Sequence, residues 1–243
     1  GFAGGRDTLA QQGYNALVPH ERGAHMTYLL LVVVTLAIGL GSQAYVKGKL
    51  NQYSRVAVSN GLSGAQAAYQ MLQYYGITNV TIKAGGTGED YFDPRTNSIT
   101  LSPDAFGVAT VTSMATACHE VGHACQYAQG YTPMKIRSAL VPVANIASNF
   151  WIFLFMIGIA LNLMGLVDAA IILYACVVLF ALVTLPVEFD ASRRARQYMA
   201  VSGVTAAEQS GASSVLTACA LTYVASALAS AMQLMYLLVS RDN

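Results

Sequence analysis

The residues with the most chemical content are Cys118-His119-Glu120-Val121-Gly122-His123, an H-E-x-x-H pattern. It lies inside a segment, roughly 111–129, whose alanine content and spacing predict a helix. Two histidines four apart on a helix share one face, one turn apart, so both imidazoles can bind a single Zn²⁺. Glu120 then borders the metal without ligating it, where it can take a proton from water activated there. The only histidines beyond residue 25 are these two. A catalytic zinc needs a third protein ligand and one open position, so a further carboxylate or histidine must be brought to this helix.

What brings it there depends on the rest of the chain. Of its 243 residues 55% are hydrophobic and only 10% charged, with a mean hydropathy of +0.47. So few charges cannot cover a soluble surface, and the composition predicts a membrane protein. A net charge of +1 with no basic or acidic tail gives no case for nucleic acid. The four cysteines form no C-x-x-C pair, and Cys118 and Cys125 share a helix face turned away from the two histidines. All four, with Cys176 and Cys219, read as small, reduced, buried residues.

Four apolar runs mark membrane spans, so the expected fold is mainly α-helical with one small inserted α+β domain. Residues 1–25 read as a polar, loop-like extension of little functional weight, with His20 and His25 at its surface and Met26 as a plausible start. Residues 26–46 carry no charge and are long enough to cross a bilayer, with no cleavage site after them. Residues 47–138 form the insertion that carries the motif. Within it Ser63-Gly-Ala-Gln66 is a capping box opening a helix that Gly76 closes. Val80–Ile82 and Ser98–Leu101 read as short strands around a turn at Asp93–Asn97. Residues 139–187 form a hairpin of two spans turning around Gly165 and Asp168, 188–211 are a polar segment with Arg193, Arg194 and Arg196, and 212–243 carry the last span.

Ten of the thirteen Lys and Arg residues fall in 47–138 and 188–211. The positive-inside rule then puts the motif on the cytoplasmic side and both termini outside. Glu188 is the first candidate for the third ligand, because the chain returns to the motif's side of the membrane there and a carboxylate at a span end is costly unless paired or metal-bound. Asp190, about 200° further round a helix, serves either beside the ligands or in a solvated helix start. Asp168 falls at the opposite side, about 28 Å away by the length of the third span. Glu89, Asp90 and Asp93 read more simply as exposed turn residues.

The motif, the Ser138-Ala-Leu-Val-Pro-Val-Ala-Asn145 segment and the stretch from Glu188 through Ala191-Ser-Arg-Arg-Ala195 together resemble the bacterial neutral zinc metallopeptidases of the YugP-like family. Tyr53-Ser54, Ser63-Gly64-Ala65, Asp93-Pro94-Arg95 and Leu221-Thr-Tyr-Val-Ala225 are similar too. The likeness runs from about residue 26 to the end. It implies a multi-pass peptidase of the cytoplasmic (inner) membrane, gluzincin-like, with H-E-x-x-H plus a glutamate that corresponds to Glu188. Where the family often has a His-Tyr pair before the D-P-R turn, this chain has Tyr91-Phe92.

The expected function is therefore a membrane-anchored zinc endopeptidase acting on protein or peptide substrates, with one Zn²⁺ per chain held by His119, His123 and Glu188 and with Glu120 as proton carrier. Ser98, Ile99, Thr100 and Leu101 are a candidate strand for pairing with an extended substrate, and a plain structural strand is the equal alternative. Tyr91, Tyr127, Tyr131 and Arg193 are unranked candidates for stabilising the oxyanion. A second reading moves cleavage into the membrane, with Asp168 competing with Glu188 as ligand. A third is a zinc-binding membrane scaffold without activity, for which a structural site would be expected to close with four protein ligands.

Overall fold

A computed structural model describes the backbone of residues 4–241 and the side chains of residues 26–241. In chain order its elements are α1 (Gly4–Tyr53), α2 (Gly64–Tyr74), β1 (Thr81–Ala84), β2 (Tyr91–Asp93), β3 (Ser98–Leu101), α3 (Pro103–Gly107), α4 (Val111–Ala128), α5 (Thr132–Ala160), α6 (Met164–Met199) and α7 (Ala206–Arg241). Four stretches of helix are long and apolar enough to cross a membrane: Met26–Tyr53 of α1, and α5, α6 and α7.

The helices run further than the apolar sequence that marks them. The loop expected over 1–25 is helical from Gly4 on, because a helix already fixed by the apolar run propagates at low cost into helix formers such as Leu9 to Gln12. His20 and His25 lie outside the residues whose side chains are described. The hairpin turns earlier than Gly165: α5 ends at Ala160 and Asn162 takes a left-handed φ of 57°, a conformation asparagine tolerates. Gly165 and Asp168 thus belong to the first turns of α6. That helix continues through Pro186 and Glu188 to Met199, so the polar segment expected after the third span is the same helix carried past it.

Local chemistry explains the insertion. Ser63 Oγ accepts from the Gln66 amide and Gln66 Oε1 accepts from the Ser63 amide at 2.9 Å, the capping box legible in the sequence. Thr110 and Ser113 cap α4 in the same reciprocal way. An antiparallel bridge between Ala57 and Thr110, with Val111 N donating to Val56 O at 2.9 Å, ties the end of α1 to the start of α4. The three strands are ordered β1-β3-β2, with β3 parallel to β1 and antiparallel to β2. All four β3 residues are buried. Both of its edges are taken, so the substrate pairing considered for Ser98–Leu101 is closed to it, and the edge strands are β1 and β2.

The main core joins the insertion to the helix ends. Met71 of α2, Ile99 and Leu101 of β3, Met114 and Val121 of α4, Val187 and Ala195 of α6 and Leu216 of α7 are all buried in one cluster. Helix α4 is almost wholly enclosed by these neighbours, which is how a helix of small residues comes to be held rigidly.

Candidate metal centre

His119 and His123 project from α4, and Glu188 from α6, toward a common point. His119 Nε2 lies 3.1 Å and His123 Nε2 3.6 Å from Glu188 Oε2, and one ligand atom from each residue falls within 4.8 Å of the others. In a tetrahedral zinc site with ligands about 2.0–2.2 Å from the metal, ligand atoms stand about 3.3–3.5 Å apart. The two His–Glu spacings and the N,N,O donor set therefore fit zinc. Among the described residues this group has three members and no fourth.

The outer nitrogens of both rings are occupied. His123 Nδ1 is 3.1 Å from Gln126 Oε1, and His119 Nδ1 is 3.2 Å from Ser192 Oγ. A proton held on each Nδ1 leaves each Nε2 lone pair facing Glu188, the tautomer a metal requires. Behind His123 the contacts continue. Gln126 Nε2 donates to Val187 O at 2.7 Å and to Asp190 Oδ2 at 3.0 Å. Asp190 in turn accepts from Arg193 and, at 2.7 Å, from Arg194 Nε. Burial works against a charged His123, but the hydrogen bond and charge of Glu188 and the charge of Glu120 outweigh it and hold its pKa above the usual value.

One close approach sets the distance between the two ligand-bearing helices. Gly122, between the histidines, packs against α6 so tightly that a Cβ there would lie 2.6 Å from the Ala191 carbonyl oxygen. Glycine is required by that contact.

A cavity of about 240 Å³ opens on the three ligands and is lined also by Glu120, Asp90, Tyr91, Phe92, Arg137 and Tyr223. Of the residues proposed from sequence, Tyr91 and Glu120 are therefore at the site. Tyr127 packs its ring against Phe92, tilted by 55° with centroids 5.8 Å apart, and is half exposed, and Tyr131 packs at the start of α5; neither lines the cavity. Arg193 is spent on Asp190, and Asp190 is buried rather than solvated. Asp168 is bound by Arg241 Nε at 2.5 Å near the start of α6, twenty residues before Glu188, and is not brought to the histidines. Glu89 and Asp93 close their own turns, and the backbone hydrogen bond from Arg95 holds the Asp93 carboxyl below the usual range. Asp90, expected in the same exposed loop, instead reaches the cavity and accepts from Ser102 N and Oγ at 2.8 and 3.0 Å.

Sequence reasoning missed Gln126, Ser192, Arg137 and Tyr223. Only Gln126 left a trace, standing three residues after His123 on the same helix face. Cys118 and Cys125 are free and fully buried, and burial pushes the Cys125 thiol up to about 12 and Cys118 also upward. They behave as packing residues, not ligands.

Fold and site define a class: a helical protein with four helices able to cross a membrane and a His-His-Glu cluster that could hold a metal ion. The chain belongs to the family described as "putative neutral zinc metallopeptidase", whose pattern matches residues 28–242. It is 36% identical over 212 residues to a protein of Bacillus subtilis (strain 168) named "putative membrane protease YugP", a match covering 86% of this chain and 94% of that relative. No solved structure matches the chain.

Proposed function

We propose that this protein is a membrane-anchored zinc endopeptidase of the gluzincin-like kind, binding one Zn²⁺ through His119, His123 and Glu188. The observation that carries the reading is the convergence of these three ligand atoms within 4.8 Å on the wall of a cavity that also holds Glu120. Zinc, when bound, lowers the pKa of water and polarises the scissile carbonyl. Glu120 takes a proton from the attacking water and passes it to the leaving amine. Gln126 and Ser192 keep the imidazoles turned, and Asp190 anchors Gln126. Tyr91 and Tyr223, facing the cavity, are the phenols placed to donate to the developing oxyanion.

An extended substrate pairs along the free edge of β2, whose Tyr91 and Phe92 line the same cavity. The concentration of Lys and Arg in 47–138 and 188–211 supports a catalytic side facing the cytoplasm.

The test is zinc per chain by elemental analysis for wild type and Glu188→Ala, followed by peptide hydrolysis for wild type and Glu120→Gln. Near one zinc in wild type, a large loss in Glu188→Ala, and metal retained without turnover in Glu120→Gln are expected. A Glu188→Ala protein that keeps its zinc rules out the ligand set.

A further inference from the structure

We propose that Arg137 gives the metal cavity a recognition site for a substrate carboxylate, an inference that rests on the peptidase reading above. Arg137 stands in the second turn of α5 and lines the cavity with the three ligands, Glu120 and Tyr223. It is the one Lys or Arg among the lining residues. Its Nε is buried and has no hydrogen-bond partner, and its guanidinium forms no ion pair with any described residue. Four other arginines, Arg95, Arg193, Arg194 and Arg241, each hold a carboxylate; Arg55 and Arg196 hold none among the described residues, but neither lines the cavity.

An arginine at the end of an apolar helix ordinarily reaches for water, for lipid phosphate or for an internal partner. This one lines the cavity, and no described residue pairs with it. The cavity's own carboxylates are engaged elsewhere, Glu188 with the two histidines and Asp90 with Ser102, while Glu120 is reserved for proton transfer. A withdrawn donor without an acceptor is costly, so a ligand that supplies the acceptor binds more tightly. The guanidinium fork matches a carboxylate in charge and in geometry, and a neutral peptide carbonyl in neither respect as well. Two sources offer that group next to a scissile bond: the substrate's free C-terminus, or an Asp or Glu side chain.

The experiment measures binding of fluorescein-labelled peptides by anisotropy to the full-length, zinc-stripped protein in detergent. Three peptides share one sequence: one ends in a free carboxylate, one in an amide, and one in an amide with glutamate as its last residue. Wild type is expected to bind the acid about tenfold or more tightly than the plain amide. Arg137→Gln should bring that ratio to about one, and Arg137→Lys should keep part of it. If the glutamate amide binds like the acid, the side chain is the source; if it binds like the plain amide, the C-terminus is. A ratio near one in wild type, or a ratio that survives Arg137→Gln, overturns the inference. Zinc uptake by each variant shows that the site has folded, and if Arg137→Gln fails that check, the wild-type ratio and Arg137→Lys decide. Wild type that takes up no zinc defeats the peptidase reading, while the peptide ratio still reports on Arg137.

Discussion

The two ends of the helical bundle differ in what packs around their cavities. At the metal end the closest approach of α4 to α6 runs over small side chains: Ala117, Gly122, Ala191 and Ala195 are buried, and at Gly122 the backbones come nearly into contact. At the other end α1, α5, α6 and α7 meet largely through aromatic side chains, although Gly158 also closes on the Val167 backbone nitrogen. Trp151 lies 4.5 Å from Tyr174 and 6.4 Å from Phe155, Tyr28 lies 5.3 Å from Tyr236, and a mainly apolar cavity of about 420 Å³ remains between them. That larger cavity contains no metal ligand set; the smaller, mixed one does. Small residues let helices approach closely and leave little slack around the ligand atoms. Aromatic contacts fill space loosely and leave room to adjust.

This contrast can be broken by one enlargement at each end. Gly122→Val should cost about 3 kcal/mol or more, beyond the usual range for overpacking, because the neighbour is backbone and cannot swing aside. It should also abolish zinc binding. Ile159→Phe, which lines the distal cavity, should change stability by less than about 0.5 kcal/mol. Thermal unfolding in detergent with zinc analysis measures both, and equal effects at the two sites would end the comparison. A finer probe of the metal end is Gln126→Met, close in volume but unable to hold His123 or Asp190. Zinc affinity in a competition titration should fall about 10–100-fold while the helices persist by circular dichroism. The smallest effect belongs to the distal ion pair. Asp168 and Arg241 are 39% and 45% exposed, so Asp168→Asn should alter stability by about 0.5 kcal/mol or less. A larger shift in the same melt would show that this end, too, depends on a specific contact.

What could be read from sequence was what depends on spacing along the chain. His119 and His123 are four apart, Ser63 and Gln66 three apart, and such relations survive any tertiary arrangement. Glu188 was legible one step further, since counting spans returns the chain to the motif's side of the membrane. Features that depend on packing were hidden. Nothing local marks Ser98–Leu101 as a central strand, because its second neighbour is the three-residue β2, whose Tyr91-Phe92-Asp93 reads as the edge of a turn. The hairpin turn at Asn162 rests on one left-handed residue, while Gly165 three residues later looked like the stronger signal. Nothing in the sequence sets Arg137 apart from the other charges of 47–138, and only the way α5 leaves α4 brings it to the cavity of the ligands.

Chain order gives the ligand set a further consequence, for the timing of synthesis. The two histidines leave the ribosome first, and Glu188 follows only after the whole α5 hairpin arm and most of α6. On the proposed ligand set, zinc can be held tightly only once that hairpin has been inserted and brought back. A chain stalled or misinserted partway has no complete site, so on the proposed function its activity begins only once assembly has finished.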